Sequence, residues 1–312
     1  MGPSTYVETM FDTIIYQIEN GRARITLNRP DKLNAMSLKM QAELSEALWD
    51  ADARTDVHCA IIRGAGRAFT AGYDLAGGDT IPVSRLQAEN PDAPYRGYRS
   101  VDDDIWQLER AQRYRMAAFD MHKPVIAQVH GHCKAGGTDL ALLCDIVIVA
   151  DDAEIGFPAG RDLGALPNQF WLHNLGPQWT KRLLLTGDSI SVTQAAEIGF
   201  ALKSVPADLL EAEVEGLADR FALIDPDILA ANKRAVNMGL ELMGARTLQR
   251  YATENDARGH QAASARAFVK RAGAVGLKQA LKDRDAPFGD GRVKVRGPET
   301  RDADGNLIDP ED

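Results

Sequence analysis

The sequence predicts an α/β fold, and three observations carry that expectation. Apolar, β-branched runs crowd the first half of the chain, whereas helical periodicity dominates the second. Residues 123–150, KPVIAQVHGHCKAGGTDLALLCDIVIVA, read as strand, glycine turn, helix and strand. Strand–strand–helix units also recur in pattern, although no sequence repeat is visible.

The chain has 312 residues, enough for one large domain or two small ones. Its 45% hydrophobic and 26% charged content is that of a soluble globular protein. No apolar run approaches the ~20 residues that span a bilayer, so no membrane partner is expected. The N-terminus lacks a basic-then-apolar signal, and the expected location is cytoplasmic. Cys59, Cys133 and Cys144 lack metal-ligand spacing and read as reduced, buried thiols; no metal is expected. A net charge of −9 argues against a nucleic-acid partner, though a local basic patch could still hold an anionic small ligand.

Along the chain, residues 1–11 read as loose. Residues 13–19 and 22–27 form two strands around Asn20-Gly21, a strong hairpin signal. Arg29-Pro30-Asp31 makes a loop, and Ser37 caps a helix to about residue 52. The buried strand 59–63 runs into a small-residue loop at 64–72, which lacks the lysine of a phosphate loop. Residues 77–94 read as a long surface loop or a mobile lid, and 102–121 as a helix. After a short strand at 154–157 and a turn-rich segment at 158–167, helices are expected at 178–185, 191–198, 208–221, 226–243, 248–269 and 273–282. The polar segment 286–312 reads as a disordered tail.

In the central stretch, the glycine turn places free backbone amides at a helix N-terminus, which stabilises negative charge. Asp139, three residues after Gly136, shares the first helical turn. A carboxylate facing free amides is one reading. A tight turn with Asp139 as a dipole partner is the other.

Five segments together resemble the crotonase family, also called the enoyl-CoA hydratase/isomerase family. They are ITLNRPDKLNAMS (25–37), AIIRGAGRAFTAGYDL (60–75), residues 123–158, LGALP (163–167) and LTGDSISVTQAAEIGFALKSVP (185–206). Order and spacing match over roughly residues 12–285. The resemblance implies a spiral of ββα units over 12–206, a C-terminal helical trimerisation region over 207–285, and a homotrimer or homohexamer. It implies an acyl-CoA partner, with coenzyme A as part of the substrate and no separate cofactor. By motif match, the amides of Ala71 and Gly136 would form an oxyanion hole, and Asp139 would be the catalytic carboxylate. Arg29, Lys32, Leu33, Arg67, Ala68, Gly72 and Gly137 fall at positions expected to contact the CoA ester.

The chain also departs from that pattern. Hydratases of the family use two glutamates; Asp139 takes the place of the first, and Ala159 that of the second. Asp162, in the altered loop, His132, beside the glycine turn, and Tyr73, in the Ala-Gly-x-Asp loop, are auxiliary candidates. The expected activity is that of a hydratase/isomerase-family lyase stabilising a thioester enolate with one carboxylate. The alternatives are hydrolase or other enolate chemistry on a cyclic acyl-CoA, and a catalytically weak CoA-ester binding protein.

Overall fold

The computed structural model describes residues 7–77, 81–97, 100–167 and 169–308. Strands β1 (Val7–Met10), β2 (Ile14–Glu19) and β3 (Arg22–Leu27) form an antiparallel meander, its β2–β3 turn made by Asn20 and Gly21, both at positive φ. Helix α1 (Leu38–Ala53) follows, with the Ser37 hydroxyl accepting from the Met40 N–H. Then β4 (Cys59–Gly64) and β5 (Ala68–Thr70) lead to α2 (Arg85–Glu89), α3 (Val101–Arg115) and α4 (Ala117–Asp120). The pattern repeats twice: β6 (Val125–Val129), β7 (His132–Lys134) and α5 (Gly136–Leu143), then β8 (Ile146–Ala150), β9 (Glu154–Gly156) and α6 (Phe170–Thr186).

These pairs explain the architecture. The first strand of each pair enters a seven-stranded sheet, β1-β2-β3-β4-β6-β8, closed by β11 (Lys203–Val205). The second enters a smaller sheet, in which β5, β7 and β9 lie side by side in parallel, extended by β10 (Ser189–Ser191) and β12 (Arg292–Val293). Stepping between two sheets in this way is the expected ββα spiral.

Strand alternation decides what each face buries. Ala60, Ile62, Val125, Ala127, Val147 and Val149 enter the main core. Their neighbours Cys59, Ile61, Ile126, Ile148 and Ala150 point the other way. Helix α7 (Val192–Glu197) precedes β11, and α8 (Leu210–Phe221) covers that second face with Leu210, Val214 and Ala218. A strand buried on both faces reads as a continuous apolar run, hence CAII and DIVIVA.

Helices α9 (Pro226–Leu242), α10 (Ala245–His260), α11 (Ala263–Val275) and α12 (Leu277–Asp285) complete the chain. The run expected as one helix at 248–269 is thus two, parted at Gln261-Ala262. Within α6 the backbone of Gly176 is non-helical, at φ 69° and ψ 172°, so a shorter helix ends there and a second one starts at Pro177, beside the expected start at residue 178.

Three expectations need correction. Within the stretch expected as a long loop at 77–94, Arg85–Glu89 is helical, and the Arg110 guanidinium donates to the carbonyls of Ile81 and Pro82; residues 78–80 lie outside the described ones. Residues 7–10 of the expected loose start pair with β2, whereas 1–6 lie outside the description. Residues 286–308 are not a disordered tail. Val293 is 3% exposed in a strand paired with β10, and Arg161 packs its guanidinium over the Phe288 ring at 3.9 Å. A single buried valine and a few polar anchors suffice there, too little apolar content to stand out in sequence.

Candidate active site

The site begins with two loops pressed together by glycines. Gly72, at φ 105°, sits where a Cβ would meet the Gly136 nitrogen at 3.0 Å and the Lys134 carbonyl at 2.8 Å. A Cβ on Gly137 would meet Thr70 at 2.8 Å. Only glycine permits these approaches, and they bring the Ala71–Gly72 loop against the start of α5. Ala135 turns the chain into that helix at φ 47° and ψ −120°, a conformation disfavoured for a side-chain-bearing residue.

The NRPDKLNAM segment scaffolds the first loop. The buried Asn34 amide donates to the carbonyls of Ala65 and Ala68, while its oxygen accepts from the Arg29 N–H. Arg29 forms a 2.8 Å ion pair with Asp74. Met36 and Tyr73 are bridged as in a parallel ladder. Arg29 is therefore engaged in holding the loop. Ala68 is fully buried within β5, and Arg63 pairs with Glu211 at 3.1 Å. Lys32 and Arg67 remain exposed beside this loop.

A cavity of about 320 Å³ opens along these loops. Leu33, Ala71, Tyr73, Ala135, His132 and Ala159 all line it. The Ala71 N–H, one expected oxyanion donor, gives its hydrogen to the Leu33 carbonyl at 2.9 Å. Gly136, the other, is the first residue of α5, so its N–H has no partner within the helix.

Asp139 is fully buried and stands behind Tyr73, which faces the cavity. The Tyr73 hydroxyl donates to the Asp139 carboxylate, and its ring lies 2.6 Å from where a Gly136 side chain would begin. The Arg115 guanidinium lies over the other part of this group, 4.8 Å from the ring centre. Burial pushes the Asp139 carboxyl up to about 7, opposed by the Arg115 charge. Burial also raises the Tyr73 phenol well above its ordinary value.

Of the other candidates, His132 faces the cavity and lies 3.6 Å from Glu154. Asp162 is not on the cavity wall. It lies 3.9 Å from Arg284, whereas Arg161 pairs with Asp188 and Asp285. Among the described residues, five polar wall residues have no counterpart among the sequence candidates: Lys134, Asp256, His260, Arg284 and Asp285. Lys134 ends β7 and donates to Ser189 at 2.6 Å, a place visible in the motif. The other four come from helices α10 and α12 and carry no local signal.

A family model described as enoyl-CoA hydratase/isomerase matches residues 17–274. The chain belongs to the enoyl-CoA hydratase/isomerase family. The crystal structure of an enoyl-CoA hydratase from Mycobacterium smegmatis is 37% identical, with a TM-score of 0.81, over 90% of this chain and 96% of that one. A Mycobacterium tuberculosis protein designated an enoyl-CoA hydratase is 34% identical over 75% of this chain and 76% of its own. The hydroxycinnamoyl-CoA hydratase-lyase of Pseudomonas fluorescens is 31% identical over 77% of this chain and 83% of its own. Membership accounts for the two-sheet spiral and makes this chain an acyl-CoA enzyme. Among the described residues, no helix is long and apolar enough to cross a membrane.

Proposed function

We propose that this protein adds water across the double bond of a 2-enoyl-CoA thioester through an enolate. The observation that carries the reading is the approach of Gly72 to Gly136, which sets the Ala71 and Gly136 amides on adjoining loops. A thioester oxygen placed between them takes two N–H donors, one at a helix N-terminus, where developing negative charge is stabilised. It displaces or shares the bond that Ala71 now gives to Leu33. Asp139 acts through Tyr73, because the phenol and not the carboxylate faces the cavity. A carboxyl held near 7 takes and returns a proton at neutral pH with little penalty.

Coenzyme A enters as part of the substrate, with Leu33 on the cavity wall and Lys32 and Arg67 exposed to meet its phosphates. A panel of linear, aromatic and ring-keto acyl-CoA esters tests the reading, followed by loss of the conjugated thioester absorbance and by product mass. Hydration of at least one enoyl ester is expected. Tight binding of the esters with no turnover would leave a CoA-ester binding protein, and cleavage of a ring-keto ester would make it a hydrolase.

A further inference from the structure

Ala159, at the position of the family's second glutamate, lies on the cavity wall and offers no proton. A carboxylate from a different element lies on the same wall. Asp256 of α10 lines the cavity, as does His260 one turn later.

Two glycines make this placement possible. A Cβ on Gly164 would meet Asp256 Oδ1 at 2.4 Å and His260 Nε2 at 3.1 Å. A Cβ on Gly259 would meet the Ala165 nitrogen at 2.9 Å. The altered loop after Ala159 and α10 therefore fit only because both lack side chains at the contact. The Ala165 N–H lies on the Asp256 side of this contact and favours the charged form of its carboxylate. His260 Nε2 lies 3.5 Å from Asp256 Oδ1, and His260 Nδ1 lies 2.7 Å from Asp104 Oδ2 of α3. Asp256 is 5% exposed, whereas the His260 side chain is 37% exposed. A chain of titratable groups thus runs from solvent to the cavity.

We propose that Asp256, connected to solvent through His260, is the second proton-transfer group of this site and replaces the carboxylate absent at position 159. The proposal rests on the hydratase reading above. In it, the water oxygen bonds to the β-carbon, and the π electron pair moves into the enolate held by the two amides. The water proton passes to the Tyr73 oxygen as the Tyr73 proton passes to Asp139. Protonated Asp256 then gives its proton to the α-carbon, yielding the 3-hydroxyacyl thioester. Asp139 ends protonated and Asp256 ionised; return of one proton through solvent and His260 resets both. The net change is addition of one water.

The electrostatics suit this division. Burial pushes Asp256 up to about 7, with the His260 charge opposing and Asp104 adding to the rise. Arg115 of α3 also faces it and lowers it. The Asp256 charge in turn raises Asp139. Two buried carboxyls that repel in this way hold one proton between them near neutrality, one donor and one acceptor.

The test separates the two proton-transfer groups with two assays. Hydration of the best enoyl-CoA from the panel needs both. Exchange of the α-protons of the matching saturated acyl-CoA in D₂O needs only Asp256. Asp256→Asn, which keeps an acceptor for the Ala165 N–H, is expected to lower hydration by roughly 10²–10⁴-fold and to abolish exchange, with ester binding within a few-fold of wild type. Tyr73→Phe should lower hydration and keep exchange. Wild-type hydration in Asp256→Asn, or exchange that survives there and is lost in Tyr73→Phe, overturns the proposal. Should Asp256→Asn not fold, His260→Gln decides. Slower exchange with a shifted pH profile supports the relay, and an unchanged rate and profile overturns it. A wild-type protein that neither hydrates nor exchanges any ester refutes the hydratase reading itself, a result distinct from an active wild type with an active Asp256→Asn variant.

Discussion

Tyr73 stands between Asp139 and the cavity, with its hydroxyl bonded to the carboxylate and its ring against Gly136. The one carboxylate the sequence offers at the glycine turn therefore reaches substrate only through the phenol. Tyr73→Phe removes that link without changing the ring's packing. The expected result is a fall in kcat of roughly 10²–10⁴-fold, the range of general acid–base groups, matched by Asp139→Asn and not exceeded by the double variant. Additive losses in the double variant would mean that the two side chains act separately.

Gly136 is tested by its steric role as well as its amide. An added methyl would begin 2.6 Å from the Tyr73 ring. Gly136→Ala should push the ring away, break its bond to Asp139 and lower both stability and rate. Tyr73→Ala in the same chain relieves the clash, so the double variant should melt at a higher temperature than Gly136→Ala alone while remaining inactive. Equal melting temperatures would show that the ring gives way freely.

Stability should fall as pH rises from about 4 to 7. Asp139 and Asp256 are both pushed up to about 7 by burial, so each keeps its proton in the folded chain where the unfolded chain has lost it. Their contribution is complete below the ordinary carboxylate pKa and is lost as pH passes their folded values. His260, raised by its bond to Asp104, acts in the same direction. Thermal unfolding at pH 5 and pH 8 should give the lower Tm at pH 8, and Asp139→Asn should flatten the difference. An equally steep fall in that variant would place its origin elsewhere.

Much of this was legible in the sequence because it is local. Asn20-Gly21, the CAII and DIVIVA runs and the paired glycines each encode their geometry within a few residues. Asn34 was legible only as part of a motif; its bonds to the carbonyls of Ala65 and Ala68 show why the motif exists. Asp256 and His260 were not legible. They lie on an amphipathic helix where a polar residue ordinarily marks the solvated side, and their placement depends on contact with Gly164, far away in the chain. The same holds for α8. Its Leu210 and Val214 cover the chain's own sheet through contacts distant in sequence.

Assembly is expected to depend on α9 instead. Val236, Met238, Leu242 and Met243 are 57–83% exposed on and just after that helix, more apolar surface than a free helix tolerates. Light scattering should return the mass of three or six chains, and Val236→Asp with Leu242→Lys should lower it. A monomer at micromolar concentration would contradict this.

The absent glutamate gives the sharpest prediction. Ala159 and Asp256 face one cavity, so a carboxylate restored at 159 should matter only when Asp256 cannot act. In the Asp256→Asn background, Ala159→Glu should return hydration by at least about tenfold, since one protonated carboxyl within reach of the α-carbon satisfies the chemistry. In the wild-type background, the new carboxylate adds like charge beside Asp256 and Asp139 and raises their pKa values further. It also fills space the acyl group needs. Activity at neutral pH should then fall, and its optimum should move to higher pH. Paired pH–rate profiles of the four chains decide the matter. Ala159→Glu that speeds the wild-type enzyme and leaves Asp256→Asn inactive would show that Asp256 supports the fold of the loop and takes no part in proton transfer.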